Sequence, residues 1–230
     1  MAAGATSAVE QTKLALEVIK QLQPELNAFA HIAPEAELIA IAEALDAERA
    51  NGKIRSPIHG LPISVKDVIH VKGMPTTSGS KVMEGFMPDD DATAVRLLRE
   101  AGAIIIGKAH THEFALGVTT PQSRNPWDTS RDPGGSSGGS AITISTGMSL
   151  LSLGTDTRAS IRVPASLCGT LGYKPTYGLV STDGIVTLSW TMDHAGLMGR
   201  TSEDVAIMMN IIQGFDAKDS GTLDLPNDDY

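Results

Sequence analysis

Two serine-bearing loops stand close together in this chain. Gly134-Gly135-Ser136-Ser137-Gly138-Gly139-Ser140 is followed, after a short apolar segment, by Gly154-Thr155-Asp156-Thr157-Arg158-Ala159-Ser160-Ile161-Arg162-Val163-Pro164-Ala165-Ser166. A glycine–serine run alone reads as a flexible linker; one set between apolar segments and leading to a second serine loop reads as chemistry. A serine hydroxyl becomes a nucleophile only when a base takes its proton. Around Ser136 the pattern G-x-S-x-G is met, with Asp183 and His194 following in hydrolase order. That elbow needs a strand before its serine, however, and Ser130-Arg131-Asp132-Pro133 is turn-like. Gly134 and Gly139 have phosphate-loop spacing, but Ser140 stands where the lysine belongs. His110 and His112 suit one face of a strand, without the carboxylates or cysteines of a metal site. They read as packing or surface histidines, and neither metal nor cofactor is expected.

The remaining base is Lys66, at the end of the run Leu61-Pro62-Ile63-Ser64-Val65-Lys66. An exposed lysine stays protonated near neutral pH. Drawn into a desolvated site among hydroxyls, its amine becomes available, and Ser–Lys pairs are a known variation on the triad. The bland alternative is a lysine reaching off a strand end into water.

The elements that must position these groups alternate in type. Apolar spacing predicts helices over residues 7–23, stopped by Pro24, and over 34–50. A strand is expected over 61–66, then a helix capped by Asp91 running to Ala101, and a strand over 103–106. Residues 138–148 read as a helix opened by glycines, 150–153 as a buried strand, and Thr201-Ser202-Glu203-Asp204 as a helix start before Val205–Ile212 with Gly214 as its stop. The alternation predicts an α/β fold with helices covering a sheet.

Bulk properties set the partners. The 230 residues suffice for a sizeable core, 41% are apolar and only 4% aromatic, so aliphatic packing must dominate. A formal charge of -9 argues against direct nucleic-acid or membrane binding. The single cysteine, Cys168, excludes an internal disulfide and reads as a buried, inert thiol. With no leader-like N-terminus and no membrane-length apolar run, a cytoplasmic location is expected.

Taken together the segments resemble the amidase signature family of serine hydrolases. The resemblance rests on Gly60–Asp67, Lys72–Thr77, Gly107-Lys108 with His112-Glu113-Phe114-Ala115, Asn125–Asp128, Gly134–Ser140, Gly154–Ser166, Gly172–Gly178 and Asp193–Gly196. It covers nearly the whole chain from about residue 25. It implies a mixed sheet with helices on both faces, and residues 1–230 as the N-terminal part of a single domain whose C-terminal half is absent. It also implies a Ser–cis-Ser–Lys triad: Ser160 the acyl-forming nucleophile, Ser136 the bridging serine on a cis peptide, Lys66 the base. Backbone N–H groups of Thr157, Arg158, Ala159 and Ser160 would hold the oxyanion, Ser137 and Thr155 would supply supporting hydroxyls, and Asp156 and Arg162 would hold the loop. The family commonly has Gly-Gly where this chain has Arg158-Ala159. That replacement requires that neither position needs positive φ; Arg158 either favours an anionic substrate or points outward. The activity implied is hydrolysis of a small carboxamide through a seryl acyl-enzyme. The alternative is the amidase subunit of a glutamine-dependent aminoacyl-tRNA amidotransferase, which hydrolyses glutamine and passes ammonia on. His110-Thr111-His112-Glu113-Phe114 resembles the stand-alone amidases more, since amidotransferase subunits usually carry Met-Asp-Glu-Phe there. A catalytically silent, truncated paralogue is the third reading, and a homodimer or a partner subunit is left open.

Overall fold

The computed structural model describes residues 6–230. In chain order the elements are α1 (Ala8–Leu26), β1 (Phe29–Ile32), α2 (Glu35–Ala50), β2 (Pro62–Lys66), α3 (Thr93–Glu100), β3 (Ile104–Ala109), α4 (Gly138–Thr146), β4 (Leu151–Asp156), α5 (Arg162–Cys168), β5 (Leu171–Tyr173), β6 (His194–Gly199) and α6 (Ser202–Ile212). Six strands form one mixed sheet in the order β1-β3-β2-β4-β6-β5. The central β3, β2 and β4 are parallel, while β1, β6 and β5 join antiparallel.

Both faces are covered. Ser64 on β2 meets Thr143 of α4 at 2.8 Å. Gly154, on the same face of β4, leaves room for Ser137 and Ile161. On the other face Gly199 sits against Asp204 and Val205 of α6, and α3 packs on α6. The α/β expectation, with helices on two faces, therefore holds. The fully buried strands β2, β3 and β4 read as continuous apolar runs broken by single polar residues, as parallel strands between two helical layers must.

The topology also says where a site belongs. From β2 the chain crosses through α3 to β3 on one side. From β3 it returns through α4 to β4, on the other side of β2. Right-handed crossovers in opposite directions put their helices on opposite faces and open a crevice past the carboxyl ends of β2 and β4. Lys66 ends β2 and Asp156 ends β4.

Four expected boundaries need correction. β3 runs on past Ile106 to Ala109 because its pairing with β2 continues, and β4 runs past Leu153 to Asp156 because its pairing with β6 continues, in both cases through residues that break the apolar run. Pro24 does not stop α1; it lies in the last turn, where only one helical hydrogen bond is lost, and the helix runs to Leu26 before Asn27 turns left-handed. Nor does Asp91 cap α3. Its carboxylate accepts from the Lys72 N–H and pairs with Arg99, and the first turn is met instead by the Asp183 carbonyl, which accepts from the Thr93 N–H at 3.2 Å. The Thr201 start of α6 is a full capping box with Asp204. Strands β1, β5 and β6 and helix α5 carry weak local signals: β6 contains two glycines and α5 has Pro164 in its first turn.

Gly139, in the first turn of α4, presses on the chain entering β1 and leaving β3. A side chain there would run into the backbone of Ala28 and His110, neither of which can rotate away. Gly139→Ala is expected to lower stability by about 1–3 kcal/mol, read as a drop in the denaturation midpoint with unchanged slope.

Candidate active site

The amine of Lys66 is fully buried at the end of β2. It lies 2.7 Å from the Ser136 hydroxyl and 2.8 Å from that of Thr155. No carboxylate among the described residues lies within ion-pair distance of it. Burial disfavours the charged amine and lowers its pKa to about 7, against the opposing fields of Asp156 and then Asp193. A lysine held this way is neutral in a substantial fraction near pH 7 and so is available as a base there.

Ser136 follows a cis peptide from Gly135, and it too is fully buried. The carbonyl of Ser160 accepts from the Ser137 N–H at 3.1 Å, and the Ser137 hydroxyl donates to the Thr155 carbonyl at 3.1 Å. These two bonds lay the second serine loop along the first. Ser160 is buried, at 6% exposure.

The Ser160 loop is fixed by a carboxylate at its root. Asp156 accepts from the Ile161 N–H at 3.1 Å and from Arg162 through Nε and an η nitrogen, both at 3.1 Å. Burial pushes the Asp156 carboxyl up, but Arg162 and the Ile161 N–H outweigh it and leave the group below its ordinary range. Arg162 also donates to the Arg158 carbonyl. Neither Arg158 nor Ala159 has positive φ, so the departure from Gly-Gly needs no glycine freedom. Arg158 is exposed, and among the described residues no acceptor takes the N–H of Arg158, Ala159 or Ser160.

The ten residues to which the resemblance gives roles lie on these two loops, at the ends of β2 and β4 and, for Arg162, at the start of α5. The rejected patterns do not assemble. Asp183 accepts from Thr93, and the His194 ring faces the Asp156 and Met192 carbonyls. No group of three or more potential metal ligands occurs among the described residues. Cys168 is buried, and burial pushes its thiol up to about 12.

The roles of two residues that stood only within the segments of the resemblance were missed. Lys108, at the end of β3, is a second fully buried lysine, paired with Asp67 at 3.2 Å and with the Thr76 hydroxyl at 2.6 Å. Its signal was available, a lysine closing an apolar run as Lys66 does. Asp193 is the other, and it bonds the Thr157 hydroxyl. Beside it opens a cleft of about 490 Å³ lined by Tyr177, Thr187, Ser189, Trp190 and Asp193. No helix among the described residues is long and apolar enough to cross a membrane.

A family model described as Amidase matches residues 10–230. A glutamyl-tRNA(Gln) amidotransferase subunit of Chloroflexus aggregans is 47% identical over all of this chain and 48% of its own length. The same subunit of Rhodopirellula baltica is 47% identical over 99% of this chain and 46% of its own length. The chain thus spans about half the length of the curated relatives it matches. Among solved structures, native peptide amidase from Stenotrophomonas maltophilia superposes with a TM-score of 0.92 at 37% identity, covering 98% of this chain and 48% of that one. The corresponding glutamyl-tRNA(Gln) amidotransferase subunit of Thermotoga maritima gives 0.84 at 39% identity, covering 95% and 46%.

The buried amine has a thermodynamic signature. Lys66 titrates at about 7 in the fold against an ordinary 10.5. Between those values the unfolded chain holds a proton that the folded chain lacks, so stability rises with pH across the window; below it the full penalty applies. Lys66→Met is therefore expected to be more stable than the parent at pH 6, by roughly 1–4 kcal/mol. Denaturation across pH 6–10 should show this advantage shrinking as pH rises.

Proposed function

The chain belongs to the amidase signature family, and on that premise we propose that it carries the reacting half of a serine amide hydrolase, with Lys66, Ser136 and Ser160 as a proton relay. The observation that carries this is the 2.7 Å contact between a buried amine lowered to about 7 and a buried serine hydroxyl, with the Ser160 loop laid against it. Neutral Lys66 takes a proton from Ser136, which takes one from Ser160 as its oxygen attacks the amide carbonyl. The backbone N–H groups at Arg158, Ala159 and Ser160 meet the oxyanion. The relay then runs in reverse, delivering the proton to the leaving ammonia or amine. Water releases the acid from the acyl-serine by the same route. Ser137, Thr155 and Thr157 act as supporting groups, and no cofactor takes part.

For the substrate and setting, the named relatives favour the amidase subunit of a glutamine-dependent glutamyl-tRNA(Gln) amidotransferase. In that reading glutamine is the amide, ammonia the product passed on, and a partner subunit handles the tRNA, which suits a chain with a charge of -9. Stand-alone amide hydrolysis is the second reading, supported by the likeness to the peptide amidase and by the His110–Phe114 segment.

Fluorophosphonate labelling tests the relay, on this chain and on a version continued to the length of its relatives. A single label at Ser160 is expected, abolished in Ser160→Ala. Ser136→Ala and Lys66→Met should slow it by about 10²–10⁴-fold, the range for lost general base catalysis. A label elsewhere, or none on either version, would sink the reading. Ammonia release from glutamine against release from a peptide C-terminal amide then separates the two settings.

A further inference from the structure

Asp193 lies just before β6, and its two carboxylate oxygens face different loops. Oδ1 accepts from the Thr157 hydroxyl. Oδ2 accepts from the N–H groups of Leu188 at 2.7 Å and Ser189 at 3.0 Å. The next residue continues the pattern, for His194 Nδ1 lies 3.1 Å from the Asp156 carbonyl. Residues 193 and 194 thus hold residues 156 and 157, where the turn to Ser160 begins. Because the antiparallel register pairs Asp156 with His194, the Thr157–Asp193 bond adds one side-chain rung beyond the last backbone pair of β4 and β6. The Leu188–Trp190 segment is braced in turn. The Tyr177 hydroxyl donates to the Trp190 carbonyl at 3.0 Å, and its ring meets His194 edge-on at 5.6 Å.

We propose that Asp193 is a positioning residue for the relay: its carboxylate clamps the Thr157–Ser160 turn to the Trp190 wall of the adjoining cleft and holds Ser160 in its reacting posture. The inference rests on the amide-hydrolysis reading of the same site. A turn that must present a nucleophile and its oxyanion donors together gains from an anchor at its start, since a misplacement of about 1 Å can cost on the order of 10²-fold in rate. The same carboxylate lies close enough to act on the base. Lys66 feels Asp156 from β4 and, less strongly, Asp193 from the loop before β6. Asp67, its neighbour in the chain, is paired to Lys108. Asp193 in turn faces Thr157 and His194, with Asp183, Lys218 and Asp219 around the same cleft.

Two variants of the full chain separate the clamp from the charge. Thr157→Val removes the hydroxyl and keeps the carboxylate; Asp193→Asn removes the charge and, with one oxygen in place of two, keeps an acceptor for only one of the two loops. Amide hydrogen exchange over Arg158–Ile161 is expected to quicken by about tenfold or more in Thr157→Val, as local opening becomes easier. The ¹⁵N titration midpoint of the Lys66 amine should stay put in that variant. In Asp193→Asn it should move to lower pH, because a charge favouring the protonated amine is gone. An Asp193 that only packs would leave that midpoint unmoved. Parental exchange in Thr157→Val overturns the clamp even where Asp193→Asn does not fold, and an unmoved midpoint in a folded Asp193→Asn overturns the role at the base. Neither readout needs turnover, so absent fluorophosphonate labelling of the parent would count against amide hydrolysis and leave the test of Asp193 intact.

Discussion

An amine taken wholly out of water, with hydroxyls rather than a carboxylate around it, is the constraint on which this structure turns. Lys66 ends a strand buried on both faces, and its partners are Ser136 and Thr155. Lys108 shows what the alternative looks like one strand away: equally buried, it takes Asp67 as a counter-ion and titrates at about 8. The ion pair with Asp67 opposes the effect of burial, so Lys108 holds its proton somewhat more firmly than Lys66. Hydroxyl partners leave Lys66 able to hold or give up a proton near neutrality, which is the property a relay needs. The polar groups on the neighbouring strands follow from the same demand. Ser64, Ser152 and Thr143 form a bonded hydroxyl cluster beneath the site, so these buried hydroxyls satisfy one another.

Topology supplies the place. The reversal of strand order at β2 brings the ends of β2 and β4 side by side with a crevice beyond them. Two loops then fill that crevice. The first enters from β3 and turns into α4 through a tightly packed glycine run. The second leaves β4 and turns into α5, tied down by Asp156 at its root. Thr155 and Asp156 are successive residues with different tasks, one bonding the amine and the other holding the loop. Two residues therefore join the end of a strand to both halves of the site.

Much of this was legible in the sequence, and the parts that were not share a cause. Lys66 could be singled out because a lysine closing an apolar run is physically odd. The central strands and most helices could be read because apolar periodicity and caps are local. The roles of Ser136 and Ser160, by contrast, came with the family resemblance; nothing in a glycine–serine run says which hydroxyl attacks. Asp193 stood in the sequence only as the first residue of the Asp193–Gly196 segment of the resemblance; its role was not readable, since its partners Thr157 and Leu188 meet it only through the pairing of β4 with β6. That strand was itself hard to see, with glycines at positions 196 and 199. Pro24 misled for the opposite reason: a strong local breaker was overridden by a helix end clamped by the Gln23 side chain, which bonds Ala28 and Phe29.

The relay stands or falls on the protonation state of one amine. Lysine ¹⁵Nζ NMR, with Lys66 assigned by comparison with Lys66→Met, reads it directly. A titration midpoint near 7, as burial of the amine requires, would support the relay. A midpoint close to that of an ordinary lysine, with the amine fully charged at neutral pH, would contradict it and leave Ser136 and Ser160 without a base.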